Sequence, residues 1–155
     1  MALADVTSVL DEAGVGYKLL PHEHTETSAA EAEALGLAPS EVAKTLVVRT
    51  PSGYLRALLP ASQRLDLRKV RDLLGDGKHI RLASEEDLAR DYPEFELGAV
   101  APLGGARRDP VLVDRGLSQL DSLVVEAGSH DQSIRIHTAD LVRLTDALVA
   151  DICQD

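Results

Sequence analysis

Two apolar runs, Val42-Ala43-Lys44-Thr45-Leu46-Val47-Val48-Arg49 and Tyr54-Leu55-Arg56-Ala57-Leu58-Leu59, lie on either side of Pro51-Ser52-Gly53. Runs of this length, rich in Val and Leu and bounded by Pro and Gly, read as strands, and the short connection between them makes an antiparallel hairpin. Side chains alternate along a strand, so Lys44 shares a side with Leu46 and Val48, while Thr45, Val47 and Arg49 take the other. A bare ammonium on an apolar face is costly. Such a lysine either gives up its proton or holds an anionic or strongly polar partner, for which a ligand phosphate or carbonyl would serve. The alternative is that Lys44 merely starts the strand and runs its stem out to water.

The rest of the chain punctuates itself. Leu3, Val6, Val9, Leu10 and Ala13 form a helical stripe over residues 2–13 that Gly14 ends, and residues 15–20 read as a strand. Ser28-Ala29-Ala30-Glu31 has the form of a capping box, opening a helix that Gly36 closes. Leu67, Val70, Leu73 and Leu74 have helical spacing, residues 80–82 form a short strand, and Ser84 caps a helix running to Asp91. Residues 111–113, 122–126 and 133–137 read as three further strands, and Thr138 caps a final amphipathic helix through Leu141, Leu144, Leu148 and Ile152. Helices interleaved with hairpin-joined strands predict a mixed sheet in an α/β (α+β) layout.

The 155 residues suit one domain, 1–155, with a single core. Only Tyr17, Tyr54, Tyr92 and Phe95 are aromatic, so Leu, Val and Ala must fill that core, and no platform for stacking unpaired bases is visible. A net charge of −10 argues against non-specific binding to a polyanion such as DNA. The charge is uneven, however. Residues 1–41 carry eight acidic side chains against Lys18 alone, whereas residues 64–81 carry Arg64, Arg68, Lys69, Arg71, Lys78 and Arg81 against Asp66, Asp72 and Asp76. That second stretch is a candidate basic patch. No basic leader and no run of ~18 apolar residues is present, so a soluble, cytoplasmic protein without a membrane partner is expected. Cys153 is the only cysteine, which excludes an intrachain disulfide and a cysteine metal cluster.

A second unusual segment is Gly98-Ala99-Val100-Ala101-Pro102-Leu103-Gly104-Gly105. Small side chains there let a ligand approach the backbone N–H and C=O groups, although a plain inter-strand turn has the same composition. His22-Glu23-His24 places two imidazoles on one side of an extended segment, as half of a metal site or as two surface histidines; no partner at a diagnostic spacing completes it, and no cofactor is expected. His130, in Ala127-Gly128-Ser129-His130-Asp131, either lines a pocket or is solvated, and His79 and His137 read as surface positions. There is no Gly-x-Ser-x-Gly elbow, P-loop or dinucleotide fingerprint.

Taken together, Val42-Ala43-Lys44-Thr45-Leu46, Leu65-Asp66-Leu67-Arg68-Lys69-Val70, the Gly98-x-x-x-Pro102-x-Gly104 loop, and Ala127-Gly128 before the Ile134 strand fall in a family's order and spacing. The chain resembles the YbaK-like aminoacyl-tRNA deacylases, relatives of the editing insertion domain of bacterial prolyl-tRNA synthetase, from about Val6 to Ile152. The resemblance implies a compact mixed β-barrel-like sheet wrapped by helices. It also implies free-standing trans-editing: hydrolysis of the ester joining a wrong amino acid to tRNA, commonly tRNA for proline.

In that family the lysine matching Lys44 is the key polar residue of the pocket, and the loop matching Gly98, Ala99, Val100, Ala101 and Pro102 cradles the aminoacyl group. His22, Gly128 and His130 complete the implied substrate site, and Arg64, Arg68, Lys69 and Arg71 are the candidate contacts for the tRNA acceptor end, with prolyl-tRNA synthetase a possible partner. Members preferring cysteinyl-tRNA often carry tyrosine where His22 stands, serine at the position of Ala101 and aspartate near Ser133, so these departures weigh against cysteine. Members acting on alanyl-tRNA place a histidine in the turn resembling residues 128–131, so His130 points to a small substrate such as alanine. Two rival readings stay open: a non-catalytic module that binds aminoacyl-tRNA or a synthetase, and a hydrolase of small esters unrelated to tRNA.

Overall fold

The computed structural model describes residues 2–75 and 79–155, so Asp76, Gly77 and Lys78 of the basic stretch lie outside the described residues. Helix α1 (Ala2–Glu12) leads into β1 (Tyr17–Pro21), α2 (Ser28–Leu35) and a 3-10 turn at Pro39–Glu41. The hairpin follows as β2 (Ala43–Thr50) and β3 (Gly53–Pro60), in antiparallel register from Ala43 opposite Pro60 to Thr50 opposite Gly53. Next come α3 (Leu67–Leu74), β4 (Arg81–Leu82), α4 (Glu85–Asp91), β5 (Val111–Asp114) and the short α5 (Arg115–Ser118). The chain ends with β6 (Ser122–Glu126), β7 (Gln132–His137), α6 (Thr138–Thr145) and β8 (Leu148–Ala150).

Two sheets result. One has the order β1-β7-β6 and is antiparallel throughout; the other has the order β4-β2-β3-β5-β8, antiparallel across β4, β2 and β3 and parallel across β3, β5 and β8. The mixed sheet is therefore present, but the barrel-like layer consists of two sheets, and among the described residues they do not close into one ring. They touch at a single parallel bridge, Val42 with Val124, and share one core: Ala43, Val47, Leu58 and Val113 from one sheet meet Leu123, Val125, Ile134 and Ile136 from the other. Helix α1 closes that core with Val6 and Leu10, and Tyr92 and Phe95 add two of the few aromatic rings. A smaller cluster on the opposite face of the five-stranded sheet joins Val48, Leu55, Leu59, Val70 and Ile152.

Three local expectations need correction. The last helix stops at Thr145, because Asp146 adopts a left-handed conformation (φ 50°) and its N–H and that of Ala147 close the helix on the Arg143 and Val142 carbonyls. Leu148 then pairs with Leu112 as part of β8, and Ile152 is buried in the smaller cluster. Thr138 is the first residue inside α6 and not its cap; His137 occupies that place, and the buried Thr138 Oγ1 has no hydrogen-bond partner among the described residues. The capping residue of α2 is Thr27, whose hydroxyl accepts the Ala30 N–H at 3.0 Å, so Ser28 and Glu31 fall one position inside the helix and are free for other partners.

Candidate active site

Lys44 and Glu126 meet because of how the two sheets touch. From the parallel bridge Val42–Val124, two residues further along each strand brings the chain to Lys44 on β2 and to Glu126 on β6. Side chains two residues on return to the same side, so both project together into the opening where the sheets diverge. A cleft of about 260 Å³ lies there, lined by Lys44, Thr45, Leu46 and Val47 of β2, by Leu82, Ala83 and Leu88, by Thr27 and Ser28 at the start of α2, and by Gly98, Val100 and Glu126. Ser28, Gly98 and Glu126 also wall its narrow end, a space of about 10 Å³ with room for about one water, completed by His22, Glu26, Glu31, Ala99 and His130.

Lys44 is half-buried, on the face that also carries Leu46 and the buried Val48. Burial lowers the pKa of its ammonium, the neighbouring Arg64 cation pushes the same way, and the Glu126 carboxylate opposes both. Glu126 is 6% exposed. Ser28 Oγ donates to its Oε1 at 2.9 Å, while Oε2 has no hydrogen-bond partner among the described residues. Burial pushes the Glu126 carboxyl far up and the nearby Glu31 charge adds to this, against the Ser28 hydroxyl, the Thr45 N–H and the Lys44 charge.

Glu31, 4% exposed, is hydrogen-bonded to the fully buried Ser133 Oγ, whose other contact is His22 Nε2 at 2.9 Å. His22 Nδ1 donates to the Glu23 carbonyl at 2.6 Å, so in a neutral ring Nε2 is an acceptor. Ser133 Oγ donates to Glu31, so its oxygen accepts from His22 Nε2 when the ring carries both protons. Burial raises the Glu31 pKa, against the Ser133 bond and the His22 and His130 charges. Both His22 nitrogens are engaged, and His24 is exposed and paired with Glu26 at 2.5 Å. Among the described residues no group of three His, Cys, Asp or Glu side chains is placed to hold a metal ion.

The glycine loop divides its residues between the cleft and the core. Gly98 has φ 82°, a left-handed conformation that suits glycine, and a Cβ there would lie 3.5 Å from His130 Cε1. Gly98, Ala99 and Val100 border the cleft, whereas Ala101 packs in the main core and Pro102 lines a separate cavity of about 470 Å³ beside α1 and α6. Arg56 holds the loop from beneath. Its guanidinium, 2% exposed, donates to the carbonyls of Ala101 (2.9 Å), Gly104 (3.0 Å) and Arg107 (3.2 Å) and pairs with Asp109 at 3.1 Å, with the rings of Tyr92 and Phe95 alongside.

The turn after β6 fastens the other side. The Gly128 carbonyl accepts the Glu96 N–H at 2.8 Å, His130 Nε2–H donates to the Leu97 carbonyl at 2.6 Å, and the His130 N–H donates to Glu96 Oε2. Gly128 thus supports the loop without bordering the cleft, while His130 does border it.

The four candidate tRNA contacts separate. Arg64 and Arg68 are exposed and Arg71 is half-buried, but Lys69 Nζ is taken up by Asp151 (3.0 Å), Asp155 (3.0 Å) and the Cys153 carbonyl (2.7 Å). Arg81 is likewise bound, to Asp87 at 2.9 Å. Sequence reading missed Ser28, Glu31, Glu126 and Arg56, and met Ser133 only as a departure from the cysteinyl pattern. For the first two the only local signal, a capping pattern, pointed elsewhere; the rest are defined by partners 45 to 111 positions away in the chain.

An Aminoacyl-tRNA editing domain model matches residues 22–144, which include all of these cleft residues. EbsC of Enterococcus faecalis (strain ATCC 700802 / V583), provisionally named a Cys-tRNA(Pro)/Cys-tRNA(Cys) deacylase, is 28% identical over 122 residues, covering 78% of this chain and 73% of that protein. The multifunctional Ser/Thr-tRNA deacylase ProXp-y of Escherichia coli (strain K12) is 27% identical over 146 residues, covering 88% and 84%. The chain also matches a proline–tRNA ligase of Thermosipho melanesiensis at 25% identity, spanning only 20% of that enzyme. A solved structure described as a provisional trans-editing enzyme for prolyl tRNA synthetase superposes with a TM-score of 0.89 at 27% identity, covering 99% of this chain and 98% of that one. Sheet pairing, cleft and matched span agree: the chain belongs to the aminoacyl-tRNA editing domain family.

Proposed function

We propose that this chain is an aminoacyl-tRNA deacylase, hydrolysing the ester that joins a small, wrong amino acid to the terminal adenosine of tRNA, with tRNA for proline the first candidate. The carrying observation is the cleft itself: an ammonium without a carboxylate within ion-pair distance among the described residues, facing a glycine loop across a space that narrows to about 10 Å³. The wide part accommodates the ribose and ester, and the narrow end admits a short side chain. Lys44 stabilises the charge that develops on the ester carbonyl oxygen. Relatives named as deacylases support turnover over a binding-only role.

No side-chain nucleophile suits the position. Ser28 donates to Glu126 instead of facing an imidazole, Ser133 is enclosed between His22 and Glu31, and burial pushes the Cys153 thiol up to about 12. A water, oriented by the neighbouring ribose hydroxyl, attacks the carbonyl carbon. The ester C–O bond breaks, the tRNA hydroxyl takes the proton, and a free amino acid leaves. Arg64 lies near Lys44 and, with the exposed Arg68 of α3, supplies phosphate contacts for the acceptor end, and docking on prolyl-tRNA synthetase would add to them.

Deacylation of alanyl-, cysteinyl-, seryl- and threonyl-tRNA for proline by wild type and Lys44→Ala tests this reading. Hydrolysis of one species, reduced about 100-fold or more in a folded Lys44→Ala protein, is expected. No turnover of any charged tRNA beside rapid cleavage of free amino-acid esters would replace it with the small-ester reading.

A further inference from the structure

Glu126 is the one charged group of the cleft that neither fold stability nor the ester chemistry accounts for. It is 6% exposed, borders both parts of the cleft, and has one oxygen bound to Ser28 while the other, Oε2, lacks a partner among the described residues. A buried carboxylate oxygen without a donor is costly, and Lys44, its neighbour in the diverging sheets, is not within ion-pair distance to satisfy it. The gap between the two therefore calls for a group that donates on one side and accepts on the other. An α-amino ester has that form: its ammonium and its carbonyl sit on adjacent carbons. We propose that Glu126 Oε2 accepts the α-ammonium of the aminoacyl group while Lys44 faces the ester carbonyl, so that the site selects for a free α-amino group.

The surroundings of Glu126 favour a cation as the occupant. Glu31 adds negative charge, while the Ser28 hydroxyl and the Thr45 N–H stabilise the ionised carboxylate from α2 and β2. Burial opposes ionisation of an empty site, and an incoming ammonium supplies the missing countercharge. At the narrow end both His22 nitrogens and His130 Nε2 are engaged, and the Glu26 carboxylate there is exposed and paired with His24, so Glu126 is the buried acceptor with an oxygen to spare.

This inference rests on the deacylase reading, and two measurements separate their failures. The first compares kcat/KM of wild type on a mischarged tRNA and on the same tRNA with its aminoacyl group N-acetylated. The second is calorimetric binding of a non-hydrolysable 3′-amide analogue of alanyl-adenosine and of its N-acetyl form, which needs no turnover. A preference of about tenfold or more for the free amine in each is expected, largely lost in Glu126→Gln with its thermal unfolding retained. Equal handling of free and acetylated forms by wild type, or binding of neither analogue, overturns the assignment even if deacylation itself is confirmed. A Glu126→Gln protein that loses both substrates in equal proportion also overturns it, reducing Glu126 to packing. Absence of turnover together with amine-selective binding would sink the deacylase reading and leave this one standing.

Discussion

Lys44 and Glu126 are a half-buried base and a fully buried acid, each displaced by burial toward its neutral form. A carboxyl whose folded-state pKa is raised binds its proton more tightly in the folded chain. Its favourable contribution is therefore complete below the ordinary carboxylate range and is lost as pH rises through the folded value. Glu31 acts in the same sense, whereas Asp91 and Asp151, lowered mainly by Arg90 and by Lys69, act in the opposite one. Comparison with Glu126→Gln isolates the first effect. The variant should gain stability over wild type as pH rises above the ordinary carboxylate range, read from urea midpoints at a series of pH values. A difference independent of pH would mean that Glu126 ionises as freely folded as unfolded.

Among the elements, the glycine loop is the one whose shape depends most on a distant side chain. Arg56 leaves the middle of β3 and takes three carbonyls of the segment that follows Gly98. Arg56→Met would leave Asp109 with Tyr92 and Arg107 but without its buried partner, and a loss of about 3–5 kcal/mol is expected in chemical denaturation. At Gly104, φ is 81° and a Cβ would press on the Asp5 backbone in α1, so Gly104→Ala should also destabilise, by about 2 kcal/mol or more, without touching the cleft. What the sequence discloses follows the same division. The Lys44 strand, its hairpin and the Gly98 loop are legible because each is stated by neighbouring residues: alternation, a Pro-Ser-Gly turn, a cluster of small side chains. Arg56 reads locally as an ordinary strand residue and Glu31 as a cap partner, since their functions come from Asp109 and Ser133, which only the folded chain brings near. Leu144, Leu148 and Ile152 keep a helical spacing across the left-handed Asp146 that ends the last helix, so the sequence pattern outruns the element.

Over the whole molecule, a protein of net charge −10 must gather its cations locally to hold a polyanion. Lys69 is withdrawn by the C-terminal carboxylates and Arg81 by Asp87, which leaves Arg64, Arg68 and Arg71 as the described cations of that stretch without an ion pair. Arg64→Glu with Arg68→Glu should weaken tRNA binding and flatten its dependence on salt by roughly one to two units of log–log slope. An unchanged slope would move the contact elsewhere. Lys69→Ala should leave tRNA affinity alone and lower stability only slightly, since its carboxylate partners Asp151 and Asp155 are half and almost fully in water. No helix among the described residues is long and apolar enough to cross a membrane.

A guanidinium keeps its charge throughout the range in which carboxylic acids and imidazoles change theirs. With Arg56 gripping the carbonyls of residues 101, 104 and 107, the loop behind the cleft is fastened by a group indifferent to acidity, while the walls at Glu31 and Glu126 are not. Acid or alkali should therefore retune what the cleft attracts and leave its contour alone, so one mould serves at every pH the fold survives.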